Sequence, residues 1–308
     1  MSPTPSAVAL IGLGKMGANM ARRLARGGVT VHGYDTAAET RQALSAEYAQ
    51  ITAHDSLVSA ISALPQPRLV WLMLPAGEIS EQTLNTILPL LSAGDVVIDG
   101  ANAYYKDSQA RAARLRALGI GFVDAGVSGG VWGGDNGYTI MLGGHEADIA
   151  RVRPLVEVLA PAADRGWLHC GPNGAGHYVK MVHNGIEYGM MQAFAEGFAL
   201  MEAKQDLNLD LAAVSEVWRH GSVIRSWLLD LTADTLQQDT TLSDIQPKVP
   251  DSGEGRWTVL EAVELGVPAP VISNALFMRF ASQGKHDYAS KLLAMMRKAF
   301  GGHAVGKA

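Results

Sequence analysis

Lys180, His183, Asn184, Glu187 and Tyr188 recur at i, i+3, i+4, i+7 and i+8. On a helix that spacing gathers them on one face over two turns. The face then holds a potential base, an imidazole and a potential acid. An amine that has shed its proton can take one from a hydroxyl, and a carboxylic acid can deliver one to carbon. The other faces carry Val179, Val182, Ile186, Met190 and Phe194, so the expected helix is buried nearly all round. A polar stripe down a buried helix is costly unless its groups are paired or in use. A merely solvated face would mix in Arg, Gln and Ser, and none occurs from Lys180 to Tyr188. Catalysis is the use this set of side chains suits.

The elements that must position such a helix begin with a ligand cradle. The apolar run Val8–Ile11 reads as a buried strand and feeds Gly12-Leu13-Gly14-Lys15-Met16-Gly17, which opens a helix expected to reach about Arg26. A bare GxGxxG is easily met by chance in a chain with 34 glycines. Its setting here is specific, because a second strand, Thr30 to Tyr34, ends in Asp35. The glycines let backbone N–H groups at the helix N-terminus approach a pyrophosphate, and a carboxylate at Asp35 would accept hydrogen bonds from an adenosine ribose.

Further apolar runs at Leu69–Leu74, Val96–Asp99 and Gly121–Asp124 read as strands covered on both faces, with helical spacing at about 80–92 and 107–118 between them. Alternation of this kind predicts a doubly wound, Rossmann-type, mostly parallel sheet that binds ligands at the carboxyl ends of its strands. Three loops are expected at those ends: Leu74-Pro75-Ala76-Gly77, Gly100-Ala101-Asn102 and Gly126-Val127-Ser128-Gly129-Gly130. The last offers a hydroxyl and approachable N–H groups to a carboxylate or phosphate. Closing strands at Tyr138–Leu142 and Trp167–Cys170 flank a helix at about 146–160. Gly171-Pro172-Asn173-Gly174-Ala175-Gly176 then punctuates the chain. This places a dinucleotide-binding domain in residues 1–175 and an all-α C-terminal domain in 176–308, with helices at about 177–204, 209–219, 256–265, 269–283 and 287–299. The polar stretch 237–255, with Pro247 and Pro250, reads as a long loop, and Arg256, Arg279 and Arg297 are spaced through this half.

Composition narrows the class. The 308 residues suffice for two cores, and a net charge of -5 argues against a general nucleic-acid or membrane binder. An anionic ligand must therefore be held by local basic groups. Cys170 is the only cysteine, a core thiol compatible with a reducing compartment. No metal-ligand spacing, secretory leader or apolar run of ~20 residues occurs, and a cytoplasmic protein is expected.

The stretches GLGKMGANMARRL, DGANAYYKD, VDAGVSGGVWGG and GAGHYVKMVHNGIEYGMMQ closely resemble the decarboxylating 6-phosphogluconate dehydrogenase family, in its short bacterial form, over essentially the whole chain. The resemblance implies oxidation of the substrate at C3, loss of carbon dioxide from the resulting β-keto acid, and tautomerisation of the enediol to ribulose 5-phosphate. It implies that Lys180 takes the C3 hydroxyl proton and that Glu187 protonates C1 of the enediol left by decarboxylation, numbered as in the ribulose product. It further implies that Ser128, Gly129 and Gly130 hold the carboxylate end, while Asn102, His183 and Asn184 contact substrate and nicotinamide. Tyr188, Arg256, Thr258 and Arg279 match the family's phosphate grip. Arg297 and His303 match a pair that reaches into the neighbouring subunit's site, which implies a homodimer or homotetramer with a shared C-terminal tail. Arg256 stands where the long form has lysine, a change that suits phosphate equally well. The second strand of NADP-dependent members ends in Asn-Arg-Thr, whereas here it reads Asp35-Thr36-Ala37. NAD is therefore the expected cofactor and NADP the less favoured one, with Arg41 the residue placed to soften the preference. The alternative is a related β-hydroxyacid dehydrogenase acting on a small non-phosphorylated 3-hydroxy acid. Such relatives share the glycine loop, the Ser-Gly-Gly loop, the lysine and Asn184, but lack Glu187-Tyr188 and the spaced arginines. A silent nucleotide sensor would be free to lose Lys180 or Glu187.

Overall fold

The structure, a computed structural model, describes residues 7–301 and 304–306. It separates into two compact units that divide between Met181 and Val182. The first contains β1 (Ala7–Ile11), α1 (Lys15–Arg26), β2 (Thr30–Tyr34), α2 (Ala38–Glu47), β3 (Ile51–His54), α3 (Leu57–Ser62), β4 (Leu69–Leu72), α4 (Glu78–Ile87) and β5 (Val96–Asp99). It continues through α5 (Tyr105–Arg116), β6 (Gly121–Ser128), α6 (Gly133–Asn136), β7 (Thr139–Gly144), α7 (Glu146–Leu159) and β8 (Trp167–Gly171). The strands form one sheet in the order β3-β2-β1-β4-β5-β6-β7-β8. Every pair is parallel except the antiparallel β6–β7.

β1, β4, β5 and β6 are buried along nearly their whole length because alternate residues go to opposite, equally covered faces. Leu10, Trp71, Ile98 and Val123 pack in one core, while Ile11, Leu72, Val97 and Phe122 pack in the other. Strand order reverses between β1 and β4, the switch point at which such sheets bind ligands. β6 runs four residues further than the expected strand and ends at Ser128. Gly126, Val127 and Ser128 are thus sheet rather than loop, because pairing with β7 extends to Ser128 opposite Thr139.

The helix α8 (Ala175–Ala203) starts at the Gly171–Gly176 punctuation and runs from the first compact unit into the second. The second unit continues with α9 (Leu211–Arg219), α10 (Trp227–Gln238), α11 (Glu254–Leu265), α12 (Pro270–Ser282) and α13 (Asp287–Gly301), and holds no strand among the described residues. α10 escaped the sequence reading. It starts at the Ser226 cap, whose hydroxyl accepts from the Leu229 N–H, and it buries Leu229, Ala233 and Leu236. Residues 239–253 carry no helix, as their prolines and polar residues predict.

One expectation is corrected. α8 is not buried all round, since Ile186 is 53% and Leu200 74% exposed in the single chain. These apolar positions of the second unit have no cover among the described residues. No helix among the described residues is long and apolar enough to cross a membrane.

Candidate active site

The glycine loop is shaped by what cannot fit there. Gly12 has φ +94°, and a Cβ would collide with the Met73 carbonyl; one on Gly17 would collide with the Gly12 carbonyl. The loop is thereby pressed onto the end of β4, with α1 packed directly on the loop. Gly14, at the helix N-cap, has open space where its Cβ would be and supplies no side-chain cap to α1. The first-turn N–H groups of α1 therefore present a ready anion site. Asp35 faces this loop: its Oδ2 accepts from the Leu13 N–H at 2.8 Å and its Oδ1 from the Ala37 N–H at 2.9 Å. A carboxylate has about four acceptor positions, so roughly two remain for ribose hydroxyls. Open cradle and carboxylate together fit a dinucleotide. Arg41 is drawn to the backbone beside them, its Nη1 donating to the Asp35 carbonyl at 2.7 Å and the Thr36 carbonyl at 3.1 Å. Lys15 and Pro75 are exposed, Met16 and Leu74 half-buried, and the Pro75 carbonyl accepts from the Ser80 hydroxyl at 2.7 Å.

Beside the switch point, buried Asp99 ends β5. It accepts from the Ala101 N–H at 3.1 Å and from Arg111 Nη1 at 2.8 Å, which fixes the turn carrying exposed Asn102. Ser128 ends β6, and Gly129 (φ +135°) and Gly130 (φ +53°) turn the chain away from it. Tyr138 lies under this turn against Gly129 and Gly133, and burial pushes its phenol up to about 12. Asn19 on α1 donates from Nδ2 to the Val131 carbonyl at 2.9 Å, tying the turn to the helix that opens at the cradle.

The start of α8 is held by β6. Fully buried Asp124 accepts from the Gly174 N–H at 2.7 Å and the His177 N–H at 3.0 Å, a helix cap lent by a strand. Such a cap contributes about 0.5–2 kcal/mol. Two residues along β6, a Cβ on Gly126 would collide with the Cβ of Lys180. Lys180 is thus packed against the sheet and is only 6% exposed.

In the second unit His183 Nδ1 lies 3.0 Å from Asn184 Oδ1 and 3.9 Å from Glu187 Oε2. Buried Tyr188 meets the Ser252 hydroxyl at 3.1 Å, and the guanidinium of Arg279 lies 3.4 Å from its ring centre. Arg279 also donates to the Pro250 carbonyl at 2.9 Å. Thr258 donates to the Glu254 carbonyl at 2.8 Å and packs against Gly185. Tyr188, Thr258, Arg256 and Arg279 are therefore gathered by α8, α11, α12 and the loop before α11. Arg256 is paired: Asp251 accepts from its Nε at 2.9 Å and its Nη2 at 2.6 Å. Asp251 and Ser252 were missed because loop residues carry no periodicity; the flanking Pro250 and Gly253 were the available signal. Arg297 is exposed on α13, and His303 lies outside the described residues. Among the described residues no cluster of three or more His, Cys, Asp or Glu side chains could hold a metal ion.

A doubly wound sheet with an open glycine cradle at its switch point and a carboxylate just after β2 defines a dinucleotide-binding protein of the Rossmann type. Residues 7–170 match the NAD binding domain of 6-phosphogluconate dehydrogenase, and residues 176–304 match the C-terminal domain of 6-phosphogluconate dehydrogenase. The chain belongs to the 6-phosphogluconate dehydrogenase family. It is 41% identical to a Bacillus subtilis protein provisionally named 6-phosphogluconate dehydrogenase, over 97% of this chain and 99% of that one. It is 38% identical to the NAD-dependent, decarboxylating 6-phosphogluconate dehydrogenase of Haloferax volcanii, over 97% of this chain and 98% of that one. Plasmodium falciparum 6-phosphogluconate dehydrogenase superposes with a TM-score of 0.82 at 30% identity; the match covers 98% of this chain but 66% of that longer one.

Proposed function

We propose that this chain oxidises and decarboxylates 6-phosphogluconate to ribulose 5-phosphate and carbon dioxide with NAD as oxidant. The observation that carries the reading is α8, which bears Lys180, Glu187 and Tyr188 at one-face spacing, with Arg279 stacked on Tyr188. NAD, bound at the glycine cradle, supplies the two-electron acceptor. Lys180, as the neutral amine, takes the proton of the C3 hydroxyl as C3 is oxidised. The ammonium so formed stabilises the enolate oxygen when the C1–C2 bond breaks and its electrons pass into C2–C3. Glu187 then delivers a proton to the carbon that has lost carbon dioxide. Ser128 with the Gly129 and Gly130 N–H groups binds the carboxylate, Asn102, His183 and Asn184 orient the sugar acid and nicotinamide, and Tyr188, Arg256, Thr258 and Arg279 bind the phosphate. The direct test mixes purified protein with NAD and either 6-phosphogluconate or 3-hydroxyisobutyrate. Equimolar reduced cofactor and carbon dioxide from the first supports the reading; turnover of the second alone overturns it.

Cofactor choice follows from Asp35. A 2′-phosphate placed near this carboxylate meets a like charge, which costs several kcal/mol, so kcat/KM should favour NAD by on the order of 10². Asp35→Asn with Thr36→Arg should move the ratio toward NADP. Steady-state rates with both cofactors check this, and a wild-type preference for NADP refutes it.

A homodimer or homotetramer is part of the proposal, as is a cytoplasmic setting. Support for assembly comes from the uncovered apolar positions of the helical unit, such as Ile186, Leu200, Phe277 and Leu293. In this reading Arg297 and His303 complete a neighbour's phosphate site. Mixing Lys180→Met with the double variant Arg297→Ala, His303→Ala under subunit exchange should then restore activity, because some hybrid sites receive both intact halves. Proven exchange without recovery removes the tail from the neighbour's site.

A further inference from the structure

We propose that Ser108 and His177 are positioning residues, whose bond sets Lys180 relative to the turn carrying Asn102; this rests on the role given to Lys180 above. His177 is 1% and Ser108 0% exposed, and the ring Nδ1 lies 2.7 Å from the serine hydroxyl. The other ring nitrogen, Nε2, has no hydrogen-bond partner, so Ser108 is the ring's one polar bond among the described residues. An apolar pair would fill this place at less desolvation cost, so a buried polar pair here calls for a use.

Its location supplies one. His177 lies in the first turn of α8, three residues before Lys180 and hence on the same face. That turn is already fixed to β6 twice, through the Asp124 cap and through Gly126 against Lys180. Ser108 lies in the first turn of α5, and this helix is fixed to the neighbouring strand end. Arg111, one turn further along α5, holds Asp99, and Asp99 holds the Ala101 N–H beside Asn102. β5 and β6 pair in the sheet, Asp99 opposite Asp124, so α5 with the Asn102 turn and the first turn of α8 rest on adjacent strands. Above the sheet the Ser108–His177 bond is a buried side-chain link between α5 and α8, and the edge of Tyr178 on Tyr105, ring centres 5.1 Å apart, is a ring contact between the same helices. Losing the hydroxyl lets the first turn of α8 shift against α5 above the paired strands, and a 1 Å error in a reacting group costs roughly 10²-fold in rate.

The test compares Ser108→Ala and Ser108→Thr with the wild-type protein, as full chains with NAD and 6-phosphogluconate, rates being expressed per NAD site counted by titration. Ser108→Ala should lower kcat by about 10- to 10²-fold while substrate KM and NAD affinity stay within about threefold. Ser108→Thr, which keeps the hydroxyl, should recover most of kcat. Unchanged kcat per site in Ser108→Ala, or an equal loss in a folded Ser108→Thr, overturns the proposal. If Ser108→Ala does not fold, His177→Asn and His177→Leu replace it: the asparagine amide can stand in for Nδ1, so equal kcat in these two variants overturns the proposal. Wild-type protein inert toward 6-phosphogluconate overturns the functional reading instead, and the same variant-to-wild-type ratio is then taken with 3-hydroxyisobutyrate.

Discussion

Lys180→Met should lower turnover per site by about 10²–10⁴-fold, the usual contribution of a general base, and leave NAD affinity unchanged. The size of the effect follows from how the side chain is held. Its stem packs against Gly126 of β6, and the residue is buried. Methionine keeps an unbranched stem of similar length, so packing on the sheet is preserved and the change is confined to the nitrogen. Two demands that the proposed mechanism makes on that nitrogen are lost together: taking the C3 hydroxyl proton and, as the ammonium, steadying the enolate left by decarboxylation. The N–H groups opening α1 and the Asp35 carboxylate, which receive the cofactor in this reading, are untouched. Steady-state turnover and an NAD titration on the same preparation measure both quantities. A variant keeping more than about a tenth of wild-type turnover would show that another group is the base.

What could be read in advance divides along the range of the interactions. The cradle was legible because Gly12, Gly14 and Gly17 stand at a fixed spacing between an apolar run and a helix, although the Met73 carbonyl that excludes a Cβ at Gly12 is delivered by the fold. The central strands β1, β4, β5 and β6 were legible because burial on both faces leaves an unbroken apolar run, whereas β3 (Ile51–His54), only partly buried at the sheet edge, was not read. Lys180, His183, Asn184, Glu187 and Tyr188 were legible as a helical face because 3.6-residue periodicity is itself local. The groups that hold this face were not. Asp124 caps α8 from 50 residues away, and Ser108 meets His177 across 69 residues; no pattern along the chain couples such positions. Asp251 was hidden for a different reason, since an acidic residue in a polar loop is ordinary until the fold delivers it to Arg256. The expected burial of α8 failed because helical spacing reports that Ile186 and Met190 need a cover, without saying that the same chain provides it.

Arg279→Ala should raise the KM for 6-phosphogluconate by tenfold to roughly 10²-fold, with kcat at saturation little changed. A charge-assisted bond from guanidinium to phosphate contributes roughly 1.5–3 kcal/mol. It is made alike in ground and transition states, so its loss appears in KM. Arg279 is well prepared for the contact. Its plane rests 3.4 Å from the centre of the Tyr188 ring, and Nη1 is anchored on the Pro250 carbonyl. Little rotamer freedom then remains to be lost on binding. Lysine at this position keeps the charge but neither the plane nor the fork, so Arg279→Lys should recover only part of the loss. Arg256 cannot simply take over, because Asp251 already accepts from its Nε and Nη2. Gluconate, the same acid without phosphate, separates the two tasks this side chain could have. If Arg279 binds phosphate, the variant loses affinity for 6-phosphogluconate and treats gluconate as the wild-type protein does. An equal loss with both acids would mean that Arg279 acts by packing on Tyr188, one residue from Glu187. That result would leave the arginine cluster unexplained and return weight to a non-phosphorylated 3-hydroxy acid as substrate.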